Sequence, residues 1–339
     1  MDKFRAYRID KQDDKIRAGF EEIGLGDLGE GDVVVRVAYS TINYKDALAA
    51  TGTSPILRRY PLVGGIDLAG VVEASEDERF PPGTAVLVNG CGLGESHDGG
   101  YAEYARVQGD WLVPIPESMD AREAMMIGTA GYTAALGIHR MEQNGQAPQN
   151  GPVAVTGATG GVGSLAIDML AGRGYEVTAV TGKADGRGYL ESIGAAEVLL
   201  RDELDLGRRP LEKARWAGAV DNLGGEILTW LTRTAAYGAN IASIGLAASP
   251  KLETTVLPFI LRAVCLLGIN SVDTPRPLRL EVWKRIGTDL RPGHLETIGH
   301  REIAFEDLPG AFDDYIAGRV TGRTVVRIGG SENQNRPIG

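Results

Sequence analysis

The residues best suited to chemistry form a glycine-rich turn, Thr156-Gly157-Ala158-Thr159-Gly160-Gly161-Val162-Gly163. Glycines let a chain turn tightly and let a pyrophosphate approach the main chain. The N–H groups that open a following helix then face its oxygens. Read as G-x-G-x-x-G, the first position is Ala158, while Gly160 and Gly163 hold the other two. Such a turn needs a strand before it, a helix after it and a second strand beyond. Val153-Ala154-Val155-Thr156 supplies the first strand and Ser164-Leu165-Ala166-Ile167-Asp168-Met169-Leu170-Ala171 the helix. Glu176-Val177-Thr178-Ala179-Val180-Thr181 supplies the second strand. A dinucleotide fits this arrangement.

The end of the second strand selects the dinucleotide. An Asp or Glu there binds the ribose hydroxyls of NAD, whereas cations and hydroxyls accept the 2′-phosphate of NADP. Here the strand ends Thr181-Gly182-Lys183, Arg187 follows soon after, and Asp185 lies beyond the expected place. The reading is therefore NADPH, against the plainer alternative of a solvated lysine.

Metal and thiol chemistry find little support. Cys91 and Cys265 are the only cysteines, too few for a disulfide framework or a four-cysteine zinc site. Cys265, in an apolar run, reads as a buried and inert thiol. His97, His139, His294 and His300 include no His-x-x-x-His pair. His97 lies in the loop Glu95-Ser96-His97-Asp98-Gly99-Gly100, where it is either a substrate contact or an ordinary loop histidine.

These residues must be positioned by a sizeable scaffold. At 339 residues the chain is long enough for about two domains, and 43% hydrophobic residues mark it as globular. A net charge of −10 argues against nucleic acid or an anionic membrane as the main partner. No apolar run is long enough to span a bilayer, and Met1-Asp2-Lys3-Phe4-Arg5 starts no signal peptide, so the expected location is cytoplasmic.

Up to about Val113 the pattern is β-rich. Asp32-Val33-Val34-Val35-Arg36-Val37 and Gly83-Thr84-Ala85-Val86-Leu87-Val88 are strands among glycine and proline turns, which predicts a partly closed barrel. A helix-like stretch over 121–141 comes next. Strands at 153–156, 177–181, 197–200, 218–222, 239–244 and 266–269 then alternate with helices, the pattern of a doubly wound parallel sheet. From about Gly293 short strands return, ending in Arg323-Thr324-Val325-Val326-Arg327-Ile328 and inferred to rejoin the first domain. Residues 331–339 read as a polar, frayed tail.

This order of parts resembles the medium-chain dehydrogenase/reductase superfamily. Local sequences resemble its zinc-free YhdH-type quinone oxidoreductases, which include NADPH-dependent acrylyl-CoA reductases. The matching stretches include Asn43-Tyr44-Lys45-Asp46-Ala47-Leu48, Gly65-Ile66-Asp67-Leu68-Ala69-Gly70, Ile127-Gly128-Thr129-Ala130-Gly131-Tyr132, Trp216-Ala217-Gly218-Ala219-Val220-Asp221, Leu257-Pro258-Phe259-Ile260-Leu261-Arg262 and Gly322-Arg323-Thr324. The resemblance implies a GroES-like catalytic domain over 1–124, a Rossmann NADP-binding domain over 125–268 and a return to the catalytic domain over 269–339. Where zinc-dependent relatives keep a cysteine and a Gly-His-Glu, this chain has Asn43-Tyr44-Lys45-Asp46 and Gly65-Ile66-Asp67. No metal is expected there, and Asp67 is expected to be a structural or hydrogen-bonding carboxylate.

The resemblance further implies site residues. Tyr44 is expected beside the nicotinamide, as a pocket wall or as a catalytic proton donor. Thr159, Gly160, Gly161 and Val162 should line the pyrophosphate, with Thr181, Gly182, Lys183, Arg187 and Arg201 toward the adenosine phosphate. Leu246, Ile260 and Ser271 should lie near the nicotinamide, although core packing would equally explain Leu246 and Ile260. The implied reaction is reduction of acryloyl-CoA to propanoyl-CoA by a homodimer. A quinone reductase and a non-enzymatic NADPH sensor are the alternatives. A short-chain dehydrogenase would need a downstream Tyr-x-x-x-Lys, and the only such pair, Tyr7 and Lys11, lies far upstream.

Overall fold

The computed structural model describes residues 3–329, so the expected tail at 331–339 lies outside the described residues. The chain separates into two compact units. The first holds residues up to Thr129, Val272–Trp283 and the chain from Gly299 onward; the second holds Ala130–Ser271 and Lys284–Ile298.

The first unit opens with the hairpin β1 (Phe4–Gln12) and β2 (Lys15–Ile23), turned at Asp13-Asp14, both with positive φ. A long central strand β3 (Val33–Ile42) leads into helix α1 (Tyr44–Thr51). Next come β4 (Leu62–Val63), β5 (Asp67–Ser75), β6 (Ala85–Asn89), β7 (Tyr104–Val107) and β8 (Val113–Pro114). Buried residues alternate along β3 in register with the pleat, so that Val33, Val35 and Val37 enter the core. Helix α2 (Ala121–Gln143) is interrupted at Gly128, whose φ of 49° and ψ of −156° are not helical.

The second unit is a six-stranded parallel sheet. Its strands are β9 (Val153–Thr156), β10 (Val177–Thr181), β11 (Glu197–Leu200), β12 (Trp216–Asp221), β13 (Ala235–Ser243) and β14 (Cys265–Gly268). Their order is β11-β10-β9-β12-β13-β14. Helices α3 (Gly161–Gly172), α4 (Arg187–Ser192), α5 (Gly225–Thr234) and α6 (Leu257–Arg262) connect them. Both β9 and β12 are buried along their whole length, as expected of central strands covered on two faces. The Trp216 and Trp230 rings meet edge to face at 5.6 Å under α5.

The remaining chain is α7 (Arg276–Ile286), α8 (Leu295–Ile298), β15 (Arg301–Ala304), α9 (Leu308–Ile316) and β16 (Thr324–Arg327). The first unit's larger sheet runs β15-β16-β3-β5-β6-β8, with β7 also on β3, so the last strand lies beside the central one. Phe305 and Phe312 pack on Phe20 and Tyr7 of the opening hairpin at 5.0 and 5.7 Å.

The compact units differ from the expected boundaries at residues 124/125 and 268/269. Residues 284–298, expected with the catalytic domain, pack with the second unit. The buried Asp168 carboxylate on α3 accepts the N–H groups of Gly293 and His294 at 3.2 and 2.8 Å, and faces the His294 ring. The Arg285 guanidinium donates to Glu142 at 2.7 Å. Cys265 also differs from expectation: on an edge strand it is partly exposed.

Candidate functional site

In the second unit the glycine-rich turn joins β9 to α3 at the place where the strand order reverses. Neighbouring strands β9 and β12 send their connections in opposite directions, which opens a crevice at their carboxyl ends. Gly157 has a φ of 59°. A Cβ on Gly163 would lie 2.4 Å from the Gly157 carbonyl oxygen and 2.8 Å from Ala158 Cα, so this glycine sets how closely α3 approaches the turn. Ala158, standing where the pattern has its first glycine, is fully buried, and its N–H donates to Val180 O at 3.2 Å. A Cβ on Gly160 would meet only the Gly157 oxygen, at 3.3 Å, which leaves the mouth of the turn open. Gly160 caps α3, so the unshared N–H groups of that helix's first turn, Gly161 and Val162 among them, face outward at its positive end. The site fits a pyrophosphate.

The residues expected toward the adenosine phosphate gather nearby. Lys183 N–H donates to Thr181 Oγ1 at 3.0 Å. A Cβ on Gly182 would lie 3.3 Å from Arg201 Nη2, which places the Arg201 guanidinium across the end of β10. Thr159 Cγ2 would be 2.8 Å from a Cβ on Gly186, so the glycine turn abuts the β10–α4 connection. Burial pulls the Lys183 ammonium below its usual pKa, opposed by the charge of Asp185. Arg187 differs from the rest: its guanidinium donates to Val198 O at 3.1 Å and pairs with Glu191 at 3.6 Å, bracing α4 against β11. Beyond Arg201 lies a hollow of about 410 Å³, lined also by Asp202, Leu206, Glu226 and Ser249. Of these lining residues the sequence reading singled out Arg201 alone. The hollow is assembled from three stretches of chain, 201–206, the start of α5 at 225–227, and 248–249.

Leu246 and Ile260 are 66% and 70% exposed, so core packing does not explain them. Leu246 follows β13, Ile260 sits on α6, and Ser271 follows β14.

In the first unit Tyr44 is the opening residue of α1 and is 51% exposed, whereas its neighbours form a buried polar cluster. Asn43 caps α1, and Asp46 Oδ2 accepts the Asn43 N–H at 2.8 Å. Asn43 Nδ2 donates to Asp67 Oδ2 at 2.7 Å, and Arg323 Nη1 donates to Asn43 Oδ1 at 3.1 Å. Asp67 also accepts the Thr129 N–H at 2.9 Å and its hydroxyl at 2.6 Å. The chain after Gly128 thus restarts as a helix on a buried carboxylate. Asp67 oxygens face N–H and O–H donors, as a hydrogen-bonding carboxylate requires. Among the described residues, no group of three or more His, Cys, Asp or Glu is arranged to hold a metal ion.

Burial pushes the Asp46 carboxyl up to about 7, opposed by the Asn43 hydrogen bonds and reinforced by the Asp67 charge. Burial likewise raises Asp67, against the pull of Arg323 and Thr129. His97 is not a free side chain. Its ring nitrogens face the carbonyl oxygens of Asp98 and Glu30 at 3.0 and 2.8 Å, and the ring packs edge to face on Trp111.

Comparisons agree with both parts. The family model for the alcohol dehydrogenase GroES-like domain matches residues 29–117. Acrylyl-CoA reductase AcuI of Ruegeria pomeroyi is 47% identical over 96% of this chain and 99% of its own. YhfP of Bacillus subtilis, named for quinone oxidoreductase activity, is 47% identical over the same shares, and its structure with NAD bound superposes with a TM-score of 0.94. The YhdH oxidoreductase from Salmonella enterica in complex with NADP is 47% identical, covers 96% of this chain and 100% of its own, and gives a TM-score of 0.93.

Proposed function

This chain belongs to the medium-chain dehydrogenase/reductases of the YhdH and AcuI kind, and from that premise we propose that it reduces acryloyl-CoA to propanoyl-CoA with NADPH. The observation that carries the reading is the near full-length likeness to an acrylyl-CoA reductase, joined to a dinucleotide turn flanked by Lys183 and Arg201.

NADPH supplies a hydride to the β-carbon of the thioester, and a proton at the α-carbon completes the product. The chain's own groups do the rest. The N–H groups over Thr159, Gly160, Gly161 and Val162 bind the pyrophosphate, and Lys183 and Arg201 hold the 2′-phosphate. Arg187 supports this end through α4 and β11. Leu246, Ile260 and Ser271 border the nicotinamide end, where exposed apolar side chains exclude water from a bound ring. An α,β-unsaturated thioester is already electrophilic, so the protein's task is to hold the acceptor and donor in near-attack geometry. Charge then gathers on the thioester oxygen as an enolate, which a hydrogen-bond donor stabilises. Tyr44 presents such a hydroxyl, held on the first turn of α1 by the Asn43–Asp46–Asp67 cluster. It stabilises the enolate and passes a proton toward the α-carbon.

The protein acts in the cytoplasm as a homodimer. Strand β14 is the edge of the parallel sheet, and Leu266, Leu257 and Leu261 lie exposed on it and on α6. Pairing two such edges covers both.

The test compares NADPH and NADH oxidation rates with acryloyl-CoA, crotonyl-CoA and a quinone. Acryloyl-CoA with NADPH should be fastest. A faster quinone would favour quinone reductase, and no turnover with any of the three would favour a binding protein. With deuteride on the transferred position of NADPH, the label should appear at the β-carbon of propanoyl-CoA; label at the α-carbon would refute the polarity.

A further inference from the structure

We propose that Thr156, Asp221 and Asn222 form a clamp that positions both cofactor loops, making them positioning residues for hydride transfer. The inference rests on the reading that the β9–α3 turn holds NADPH. The backbone ladder between β9 and β12 ends with Val155 opposite Val220. One residue further on, where the crevice begins, side chains take over. Thr156 Oγ1 donates to Asp221 Oδ1 at 2.7 Å and accepts the Asn222 N–H at 2.9 Å. Asn222 Nδ2 donates to the Thr156 carbonyl at 2.7 Å. Asp221 Oδ2 accepts the Gly224 N–H at 2.9 Å. Thr156 and Asp221 are completely buried, so these bonds do not compete with water.

The clamp reaches both loops. On one side, Gly157 follows Thr156 directly, and a Cβ there would lie 3.3 Å from Asn222 Cβ. On the other, the Asp221 carbonyl accepts the N–H groups of Ile244 and Gly245 at 2.9 and 3.2 Å, and the Asn222 carbonyl accepts that of Ala247 at 3.3 Å. A Cβ on Gly245 would lie 2.4 Å from the Asn222 oxygen, so the 244–247 loop is seated directly on this pair. Leu246 lies within that loop. The turn that takes the pyrophosphate and the loop that takes the nicotinamide end are therefore held in one register by three side chains, none of which needs to touch the cofactor. Loss of the Thr156 hydroxyl should let the two loops drift apart and weaken NADPH binding without disturbing the acyl-CoA side.

The experiment uses Thr156→Val, Thr156→Ser and Asn222→Ala in the full chain, each checked for a cooperative melt. NADPH affinity is read by the fluorescence of the bound nucleotide, and kcat and KM are measured at saturating NADPH. Thr156→Val should weaken NADPH about tenfold or more, whereas Thr156→Ser, which keeps the hydroxyl, should stay within about threefold. The KM for acryloyl-CoA should change by less than about twofold in both. If Thr156→Val fails to fold, Asn222→Ala carries the test, because it removes only the Nδ2 bond to Thr156 O and should weaken NADPH by about threefold or more. Unchanged NADPH affinity in the folded variants, or an equal loss in Thr156→Ser and Thr156→Val, overturns the clamp. Failure of the unaltered protein to bind NADPH would instead overturn the cofactor reading.

Discussion

Asp46 and Asp67 are two carboxylates removed from water, and their pKa values report it. Asp46 is raised to about 7 by burial, whereas in the unfolded chain it titrates near 3.8. Between those values the native state holds a proton that the unfolded state has lost. Its contribution to stability is therefore full below about pH 4 and is lost as pH rises through about 7. The unfolding free energy should fall between about pH 4 and 7 with a slope of up to about 1.4 kcal/mol per pH unit from this group, and level off above that. Asp46→Asn should flatten that slope in urea titrations; an unchanged slope would mean that Asp46 stays ionised. At the other site, Lys183→Ala should raise the KM for NADPH about tenfold and leave that for NADH nearly unchanged, since only the former carries the phosphate. Equal effects on both would count against the phosphate role. Tyr44→Phe removes only a hydroxyl, and an unchanged kcat with acryloyl-CoA would make Tyr44 a wall. At this scale the backbone geometry of the turn was readable because glycine has a local meaning. Arg187 was not readable in the same way, since its partner Val198 O belongs to another strand.

Strands and helices announced themselves where a period or a turn signal was strong. Five of the six strands of the parallel sheet stand within two residues of the runs at 153–156, 177–181, 197–200, 218–222 and 266–269; β13, expected at 239–244, begins earlier, at Ala235. Its first residues include the exposed Tyr237 and Gly238, which carry no strand pattern. The break in α2 was hidden, because one glycine in a helix-like run looks like a tolerated defect. It becomes legible only with Asp67 and Arg323 in place: a Cβ on Gly128 would lie 2.9 Å from Asp67 Oδ2 and 2.8 Å from Arg323 Nη2. Gly128→Ala therefore meets both a positive φ and the crowding Asp67 and Arg323 side chains, and should lower stability by about 1–3 kcal/mol. Gly163→Ala should cost a similar ~1–3 kcal/mol by forcing α3 off the turn, and should also weaken NADPH. Urea melts and nucleotide fluorescence check both; a neutral Gly163→Ala would mean that the helix can slide without loss.

Over the whole molecule the sequence revealed a β-rich part, a nucleotide-binding part and a return, yet it misplaced residues 284–298. Their allegiance depends on Asp168, Glu142 and Arg285, contacts between residues more than a hundred positions apart. Assembly is tested by light scattering at micromolar concentration: a mass of twice 36.0 kDa is expected, and a monomer mass would exclude a tight dimer. One feature of the first sheet reaches beyond the finished fold. Strand β16 lies between β15 and the central β3, and Arg323, just before it, reaches into the Asn43–Asp67 cluster. A ribosome delivers Asp67 long before Arg323. Through most of synthesis the nascent first unit therefore carries the Asp67 carboxyl without the nearby Arg323 cation, beside an open flank on its central strand. The second unit's sheet, whose strands all come from 153–268, is complete earlier and suffers no such wait. Folding should run out of sequence order, nucleotide unit first, with the amino-terminal strands left as clients for chaperones until the carboxyl end emerges. A chain stopped at residue 320 should bind NADPH while its first unit stays open to protease.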